Sequence, residues 1–242
     1  MEDSIIMEIR AGTGGQEAAL FVGDLFEMYS KYGLSRNWKQ KILDAHPTEI
    51  GGYKEIIFSL SGENVFSEMK YEAGVHRVQR IPKTERMGRI HTSTATVAVL
   101  PKLKKIEVKI KPEEIRIDYY RSSGPGGQYV NKRETAVRIT HLPTGIVVSS
   151  QTERNQLQNK ENAMEILMAR LVEKKQKEEL EKIGNERKTQ IQTAERAEKI
   201  RTYNFPQDRV TDHRIKKSWH NIEKIMSGKI NKIIQSLQQN LH

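Results

Sequence analysis

A short glycine-rich loop carries the residue types in this chain that are best suited to chemistry. From Arg121 to Lys132 it reads Arg-Ser-Ser-Gly-Pro-Gly-Gly-Gln-Tyr-Val-Asn-Lys, with three glycines within four residues followed by an amide side chain. Glycine accepts positive φ and lets the main chain approach a ligand closely, so Gly126 and Gly127 would present Gln128 without obstruction. Basic residues stand at both ends of the loop. An uncharged tip between cations suits a pocket lined by RNA, because phosphates bind the cations while the tip carries the chemistry.

The amide of Gln128 limits the chemistry that this loop can perform. A glutamine has no group that titrates near neutral pH, so it cannot be a general base. Positioning and electrostatics remain: its backbone N–H could stabilise developing oxyanion charge, while its side chain bounds the site of an attacking water. A plain glycine turn on the surface is the alternative, and the three residues Gly-Gly-Gln alone leave it open.

Composition restricts the partner and the compartment. The 242 residues include 41 Lys and Arg against 31 Asp and Glu, a net charge of +10, which favours a polyanionic partner: RNA, DNA or an anionic membrane surface. We expect no membrane partner, because no apolar run approaches the roughly 18 to 20 residues of a spanning helix and no signal-peptide pattern opens the chain. The chain has no cysteine, and its seven histidines lack metal-ligand spacing. We therefore predict no metal and no cofactor, and a location in the cytoplasm or an organelle matrix.

A second Gly-Gly-Gln stands at residues 14–16 and must be distinguished from the first. Alternating apolar residues over 4–10 predict a strand before it, and helical spacing from Ala18 onward predicts a helix after it. Thr13, three residues before Gln16, fits a capping box. We interpret Gln16 as a residue that begins a helix, although the free N–H groups of that helix end could still receive a polar ligand.

The segment 74–93 is the second candidate for function. Basic residues are interleaved there with two histidines, a glutamine and several hydroxyl residues, around a loop that begins at Pro82. Cations bind phosphates, and such neutral side chains can hydrogen-bond to or stack on unpaired bases, which is how single-stranded RNA is read. A solvated basic β-hairpin is the alternative interpretation.

Regular elements must support both candidates. The pattern predicts strands over 54–60 and 94–100 and a β-hairpin over 136–150. Asn159 is predicted to cap a helix that packs on this hairpin. The apolar face of that helix is predicted to comprise Met164, Leu167, Met168 and Leu171. The fold class expected from these elements is α/β (α+β), with a small sheet packed by helices in its second part.

Three strings of the sequence resemble class I peptide chain release factors of the bacterial type. The loop 121–132 is similar to the Gly-Gly-Gln domain of that family, with Pro125 and Tyr129 where alanine and histidine are usual. The tripeptide Pro82-Lys83-Thr84 resembles the Pro-x-Thr sequence of the type that reads UAA and UAG. The segment 201–214 is also similar. The resemblance spans nearly the whole chain, and we expect the N-terminal helical domain of full-length members to be lacking.

The resemblance assigns a role to individual residues. It implies that Gly126, Gly127 and Gln128 are catalytic and that Gln128 is methylated. It implies that Gln79 and Thr92 contact the third codon base and that Gly14 and Glu17 lie near the first. His91 offers a ring face, and we expect it to stack on the second codon base. The complete set of expected codon-binding residues is Pro82, Lys83, Thr84, His91, Thr92, Gln79, Gly14 and Glu17.

The same resemblance implies the partners and the domain layout. The partners would be the ribosome at its decoding and peptidyl transferase centres, an mRNA stop codon, the P-site peptidyl-tRNA and a glutamine methyltransferase. The protein would promote ester hydrolysis on the ribosome and would be no stand-alone enzyme. A discontinuous codon-recognition domain would comprise residues 1–111 and 201–242, with the Gly-Gly-Gln domain over 112–200. A rescue factor that reads no codon and a basic RNA-binding protein without hydrolytic role remain as alternatives.

Overall fold

The computed structural model describes residues 3–82, 85, 87–102, 110–121, 134–191 and 198–241. In chain order the elements are β1 (Asp3–Ala11), α1 (Gln16–Ser35), β2 (Lys39–Pro47), β3 (Tyr53–Gly62), α2 (Val65–Met69), β4 (Gly74–Arg80), β5 (His91–Pro101), β6 (Ile115–Tyr120), β7 (Ala136–His141), β8 (Ile146–Ser150), α3 (Gln156–Ile191), β9 (Lys199–Asn204), β10 (Arg209–Asp212), β11 (Lys217–His220), α4 (Ile222–Met226) and α5 (Asn231–Asn240). Helices and mainly antiparallel strands are combined, which confirms the predicted mixed class.

The chain divides into two compact units. Unit 1 comprises Met1–Lys102 with Ile183–His242, and unit 2 comprises Leu103–Lys182. The sequence placed the divisions later, after residues 111 and 200. The second difference arises because the end of α3 belongs to unit 1: the Gln190 amide accepts from Val99 N–H at 2.9 Å and donates to its carbonyl at 3.0 Å. The polar residues of this segment carry no apolar pattern that could have revealed the contact.

Unit 1 is built on one large sheet whose strand order is β11-β10-β9-β4-β5-β1-β3-β2. Neighbouring strands are antiparallel except β4 and β9, which are parallel. Strand β9 therefore returns the C-terminal segment to the middle of a sheet that began with β1.

Helix α1 covers one face of this sheet, called here the α1 face. Ile5, Met7 and Ile9 alternate along β1 and are fully buried against it, as their period of two predicts. Aromatic rings pack between helix and sheet. The ring centroids of Phe21 and Tyr203 are 5.5 Å apart, and those of Phe26 and Phe58 are 5.0 Å apart. Each such buried side chain contributes about 1.5 to 3 kcal/mol, so α1 and its N-terminal turn are held firmly on the sheet.

A buried cluster of charged residues lies within this core. The Arg201 guanidinium donates to both oxygens of Glu72, at 2.5 and 2.8 Å, and to Asp212 at 3.2 Å. Tyr29 donates to Glu72 at 2.9 Å, and Arg214 donates to Asp212 at 2.7 Å. Arg201, Glu72 and Asp212 are fully buried. We call these five residues the buried ion cluster; each charge in it needs its partners, because an unpaired buried charge is costly.

His76 lies fully buried beside this cluster, and its titration makes unit 1 sensitive to acid. Its Nε2–H donates to the Glu72 carbonyl at 2.8 Å. Burial and the charge of Arg201 lower the pKa of His76 from its ordinary 6.5 to about 4. The unfolded chain therefore binds this proton more readily. The stability contribution is complete above pH 6.5 and is lost as the pH falls towards 4, on the order of 3 kcal/mol.

This pH dependence is measurable by urea unfolding followed by tryptophan fluorescence, because Trp38 and Trp219 both belong to unit 1. We expect His76→Gln to flatten the decline between pH 6.5 and 4. His213→Gln is the matched control: burial together with Lys199 and Arg77 lowers the pKa of His213 too, but this ring is only half-buried. An unchanged slope in the His76 variant would contradict the prediction.

Unit 2 holds a three-stranded sheet, in the order β6-β7-β8, packed by α3. The predicted hairpin over 136–150 is confirmed as β7 and β8. The capping role predicted for Asn159 is wrong. Asn159 lies inside α3, fully buried, where its amide donates to the carbonyls of Thr135 and Glu153 and accepts from Ser150.

The apolar face of α3 differs at one position from its prediction. Leu167 and Leu171 are buried with Ala163, whereas Met168 is 44% exposed. Further along, α3 becomes strongly polar. In the part of the chain that the structure describes, no helix combines the length and apolar character needed to cross a membrane.

Candidate codon-binding site

The candidate site lies where β4 ends, β5 begins and α1 starts. The antiparallel register places Gln79 opposite Thr92 and Arg80 opposite His91. The sequence predicted a strand from residue 94, and β5 begins three residues earlier, at His91. His91 and Thr92 belong to it because Ser93 and Thr94, although polar, continue the ladder with β4.

Successive strand residues point to opposite faces of a sheet, and this separates the candidate residues into two groups. Arg80 and His91 lie on the α1 face, where Arg80 reaches Glu17. Gln79 and Thr92 lie on the opposite face. On that face, Asn204 of β9 donates its side-chain N–H to Gln79 Oε1 at 3.2 Å. Asn204 therefore engages the Gln79 amide through its oxygen Oε1 and not through its nitrogen Nε2.

Glu85 holds the ring of His91. Its Oε2 lies 2.7 Å from His91 Nε2, and its Oε1 accepts the backbone N–H of Met87 at 2.7 Å. That backbone N–H, together with His91 and Arg89, lowers the pKa of the Glu85 carboxyl. An ionised Glu85 can only accept, so His91 Nε2 carries the proton and the ring is fixed in that orientation. Sequence reasoning missed Glu85, although its position between Pro82 and His91 was a usable signal.

Gly14 and Glu17 occupy the N-terminal turn of α1. Gly14 has φ +130°, and a Cβ there would lie 2.2 Å from Ser93 Oγ, so only glycine fits. Glu17 is buried, with Oε1 2.5 Å from Arg80 Nε, and Arg80 also reaches Asp24 at 2.6 Å. Among the residues that the structure describes, Glu17 Oε2 has no hydrogen-bond partner. The carboxylate thus orients Arg80 and faces inward.

The capping box predicted for Thr13 and Gln16 is wrong. Gly15 precedes the helix, with no side-chain cap bond. Thr13 instead extends the sheet: its N–H donates to Thr94 Oγ1 and its carbonyl accepts the Thr94 N–H, both at 2.8 Å. The prediction that Gln16 begins a helix is confirmed, and its side chain is exposed.

Several predicted site residues lie outside the described residues. Lys83 and Thr84 are among them, as are the three residues 126–128 of the loop. Their flanks are described at the codon site: Pro82 is buried, and its carbonyl accepts the N–H of Glu85 at 3.1 Å. The roles predicted for Lys83, Thr84 and the Gly-Gly-Gln loop therefore remain predictions.

Comparison with known proteins identifies the family to which this chain belongs. A PCRF domain model matches residues 2–97, and an RF-1 domain model matches residues 104–214. The peptide chain release factor 1 of Carboxydothermus hydrogenoformans is 58% identical, over 98% of this chain and 66% of that protein. That of Thermotoga maritima is 54% identical, over 97% of this chain and 69% of that protein. The chain belongs to the peptide chain release factor 1 family.

A solved structure of a related release factor supports the fold. RF2 of Thermus thermophilus matches with a TM-score of 0.60 and 38% identity, over 98% of this chain and 68% of that chain. The chain is shorter than its relatives. It spans about two thirds of their length, 66% for the Carboxydothermus protein and 65% for that of Aquifex aeolicus.

Proposed function

We propose that this release factor 1 family member acts in translation termination, reading UAA and UAG at the β4–β5 site and promoting hydrolysis of the peptidyl-tRNA ester through Gly126, Gly127 and Gln128. The observation that carries the codon-reading part is the placement of Gln79 and Thr92 on one face of the sheet and His91 on the other. Side chains able to pair with or stack on bases meet there, where β4 ends and β5 begins.

The two faces suggest how three bases are divided. A codon would bind where β4 ends and β5 begins. Its second base lies against the ring of His91, on the α1 face and beside the turn that contains Gly14 and Glu17. The third base reaches Gln79 and Thr92 only on the opposite face, so it leaves the stack of the first two. Glu85 supports this division because its hydrogen bond holds the His91 ring in one orientation.

Tolerance at the third position follows from the two residues that face it. Gln79 keeps its Nε2–H donors and a second lone pair on the Oε1 that accepts from Asn204, and the Thr92 hydroxyl both donates and accepts, so the two residues can serve adenine and guanine alike. Discrimination falls on the second base, which stacks on His91 with about 1 to 3 kcal/mol. Guanine there presents a different edge to Thr84 and leaves polar groups unpaired, at about 1 to 3 kcal/mol for each buried group.

The hydrolytic step is assigned to the loop that carries Gln128. The Gln128 backbone N–H stabilises the developing oxyanion when water attacks the ester, and the side chain bounds the site of that water. Neither group exchanges a proton, so ribosomal RNA and the peptidyl-tRNA complete the reacting centre. A glutamine methyltransferase acting on Gln128 belongs to this proposal, because the resemblance of the loop to release factors implies that this glutamine is methylated.

The experiment measures release of labelled peptide from ribosomes programmed with UAA, UAG, UGA or no stop codon. We expect release on UAA and UAG to exceed that on UGA by about 5- to 150-fold, which corresponds to 1 to 3 kcal/mol at the second base. Thr92→Val should raise the factor concentration for half-maximal release on UAA and UAG. Thr211→Val is the matched control, because Thr211 lies on β10 of the same sheet and bonds Ser218.

Two results would overturn parts of this proposal. Equal release on all three stop codons would remove the codon assignment from this site. Release without any stop codon would place the protein among rescue factors that use the same loop and read no codon.

A further inference from the structure

A cleft of about 680 Å³ lies in unit 1, and none of the expected codon-binding residues lines it. It is formed by the second half of α1, β11, α4 and the beginning of α5. We call it the lysine cleft. Its lining residues are Lys31, Ser35, Trp219, His220, Asn221, Lys224, Ile225, Ser227, Gly228, Lys229, Asn231, Lys232 and Ile233. Most of them follow residue 214, where the match to the RF-1 domain ends.

The lysine cleft is preformed by close packing of its walls. Gly228 has φ +91°, and a Cβ there would lie 2.7 Å from Lys31 Cβ and 2.9 Å from Tyr32 N, so glycine lets this turn rest on α1. The turn is hydrogen-bonded, with Gly228 N–H donating to Ile225 O at 2.9 Å. Ile225 and Ile233 are buried. The floor is therefore apolar and fixed, and a ligand would not have to order it.

The charged side chains that line the lysine cleft are all basic. Four lysines and His220 line it, and among the described residues none of the lining residues is acidic. Lys31 pairs with Glu27 at 2.6 Å, whereas Lys224, Lys229 and Lys232 form no ion pair within the described part of the chain. The nearby Asp208 is occupied, since it accepts the N–H groups of Asn221 and Ile222. Three exposed ammonium groups thus surround one concavity, and none of them is paired with a carboxylate of the described residues.

The remaining lining groups indicate which polyanion fits. Trp219 and His220 provide aromatic rings, and Asn221 and Asn231 provide amides that can bond to base edges. Cations combined with aromatic rings and amides are the chemistry that binds unpaired nucleotides, with phosphates on the cations and a base on a ring. An acidic peptide would use the lysines but has no need of the rings and amides.

We propose that the lysine cleft binds an unpaired RNA nucleotide together with its flanking phosphates. The base lies against Trp219 and the apolar floor, and the phosphates bind Lys224, Lys229 and Lys232. This inference goes beyond the proposed function, because it assigns an RNA contact that neither codon reading nor ester hydrolysis requires. It is tested without ribosomes, so its failure would leave the termination proposal untouched.

The two tryptophans of the chain allow a local test. The full chain is labelled with 5-fluorotryptophan, its two ¹⁹F signals are assigned with Trp219→Phe, and hexaadenylate RNA is titrated. Trp38 is 7% exposed in the core and bonds Glu63 O, so its signal is the internal control for folding and for distant binding. We expect the Trp219 signal to shift with saturation and the Trp38 signal to stay in place.

Charge-neutral variants then test the lysines. Lys224→Gln/Lys229→Gln/Lys232→Gln should weaken the binding seen at Trp219 on the order of 10- to 100-fold at about 0.1 M salt and lower the log–log salt slope by about 2. The control Lys39→Gln/Lys41→Gln/Lys54→Gln removes the same charge from exposed positions on β2 and β3, and we expect it to leave the Trp219 titration unchanged.

Three outcomes would overturn the proposal. The first is the absence of a Trp219 shift at millimolar RNA. The second is an equal loss of binding in both triple variants, which would mean that only net charge matters. The third is a hexaglutamate peptide that shifts Trp219 as strongly as the RNA does, which would make the cleft a protein-docking surface.

Discussion

Replacing Gly127 by alanine is expected to reduce peptide release by about 100-fold or more while codon-dependent binding to the ribosome is retained. If residue 127 takes a left-handed conformation, an added Cβ costs roughly 1 to 2 kcal/mol locally. The larger loss comes from Gln128, because a displacement of about 1 Å at a positioned group can cost about 100-fold in rate. Single-turnover release at saturating factor measures the chemical step, and filter binding to UAA-programmed ribosomes measures the complex.

The chain offers two matched controls for this loop. Gly184→Ala makes the same substitution inside α3, where an added Cβ meets open space, and release should remain normal. Gln16→Ala truncates the glutamine of the other Gly-Gly-Gln, which begins α1 with an exposed side chain. A defect in the Gln16 variant as large as that of Gly127→Ala would show that the wrong triplet has been assigned to hydrolysis.

Glu72→Gln is expected to destabilise unit 1 by about 3 to 5 kcal/mol, the usual cost of removing one partner from a buried ion pair. Glu72 receives two hydrogen bonds from Arg201 and one from Tyr29, all fully buried. The variant leaves two guanidinium groups, those of Arg201 and Arg214, against the single carboxylate of Asp212. Urea unfolding read by tryptophan fluorescence gives the free energy for this unit.

The control is Glu27→Gln, which breaks the exposed pair with Lys31 and should cost less than about 0.5 kcal/mol. A double variant, Glu72→Met/Arg201→Met, removes both charges and should recover much of the loss, because apolar side chains of similar volume can replace a buried pair. If Glu72→Gln cost no more than the surface control, the cluster would contribute nothing to stability.

A buried face made strand β1 predictable, whereas strand β2 has no such face and was not predicted. Ile5, Met7 and Ile9 alternate because one face of β1 is buried, and the sequence therefore predicted that strand. Strand β2 escaped prediction because it is the edge of the sheet and nearly every residue in it is exposed. An edge strand with two solvated faces carries no hydrophobic period.

The sequence named residues for the candidate site, but it could not give their geometry. Resemblance named Gln79, His91 and Thr92, yet their division between two faces follows from the register of β4 with β5, which local sequence does not encode. The buried ion cluster was missed for a related reason. Arg201 and Glu72 are 129 positions apart, and isolated charges are ordinarily assigned to solvent. Only the fold brings them together.

The return of β9 to the middle of the large sheet governs how the chain can fold while it is being synthesised. Strand β4 leaves the ribosome long before its parallel neighbour β9, and all of unit 2 is made between them. At roughly 5 to 20 residues per second, the 129 positions from Glu72 to Arg201 take about 6 to 26 s. Throughout that interval the nascent first half of the sheet has an open edge at β4 and a carboxylate without its guanidinium. Unit 2 can complete its own core first, and unit 1 closes only when nearly the entire chain has emerged.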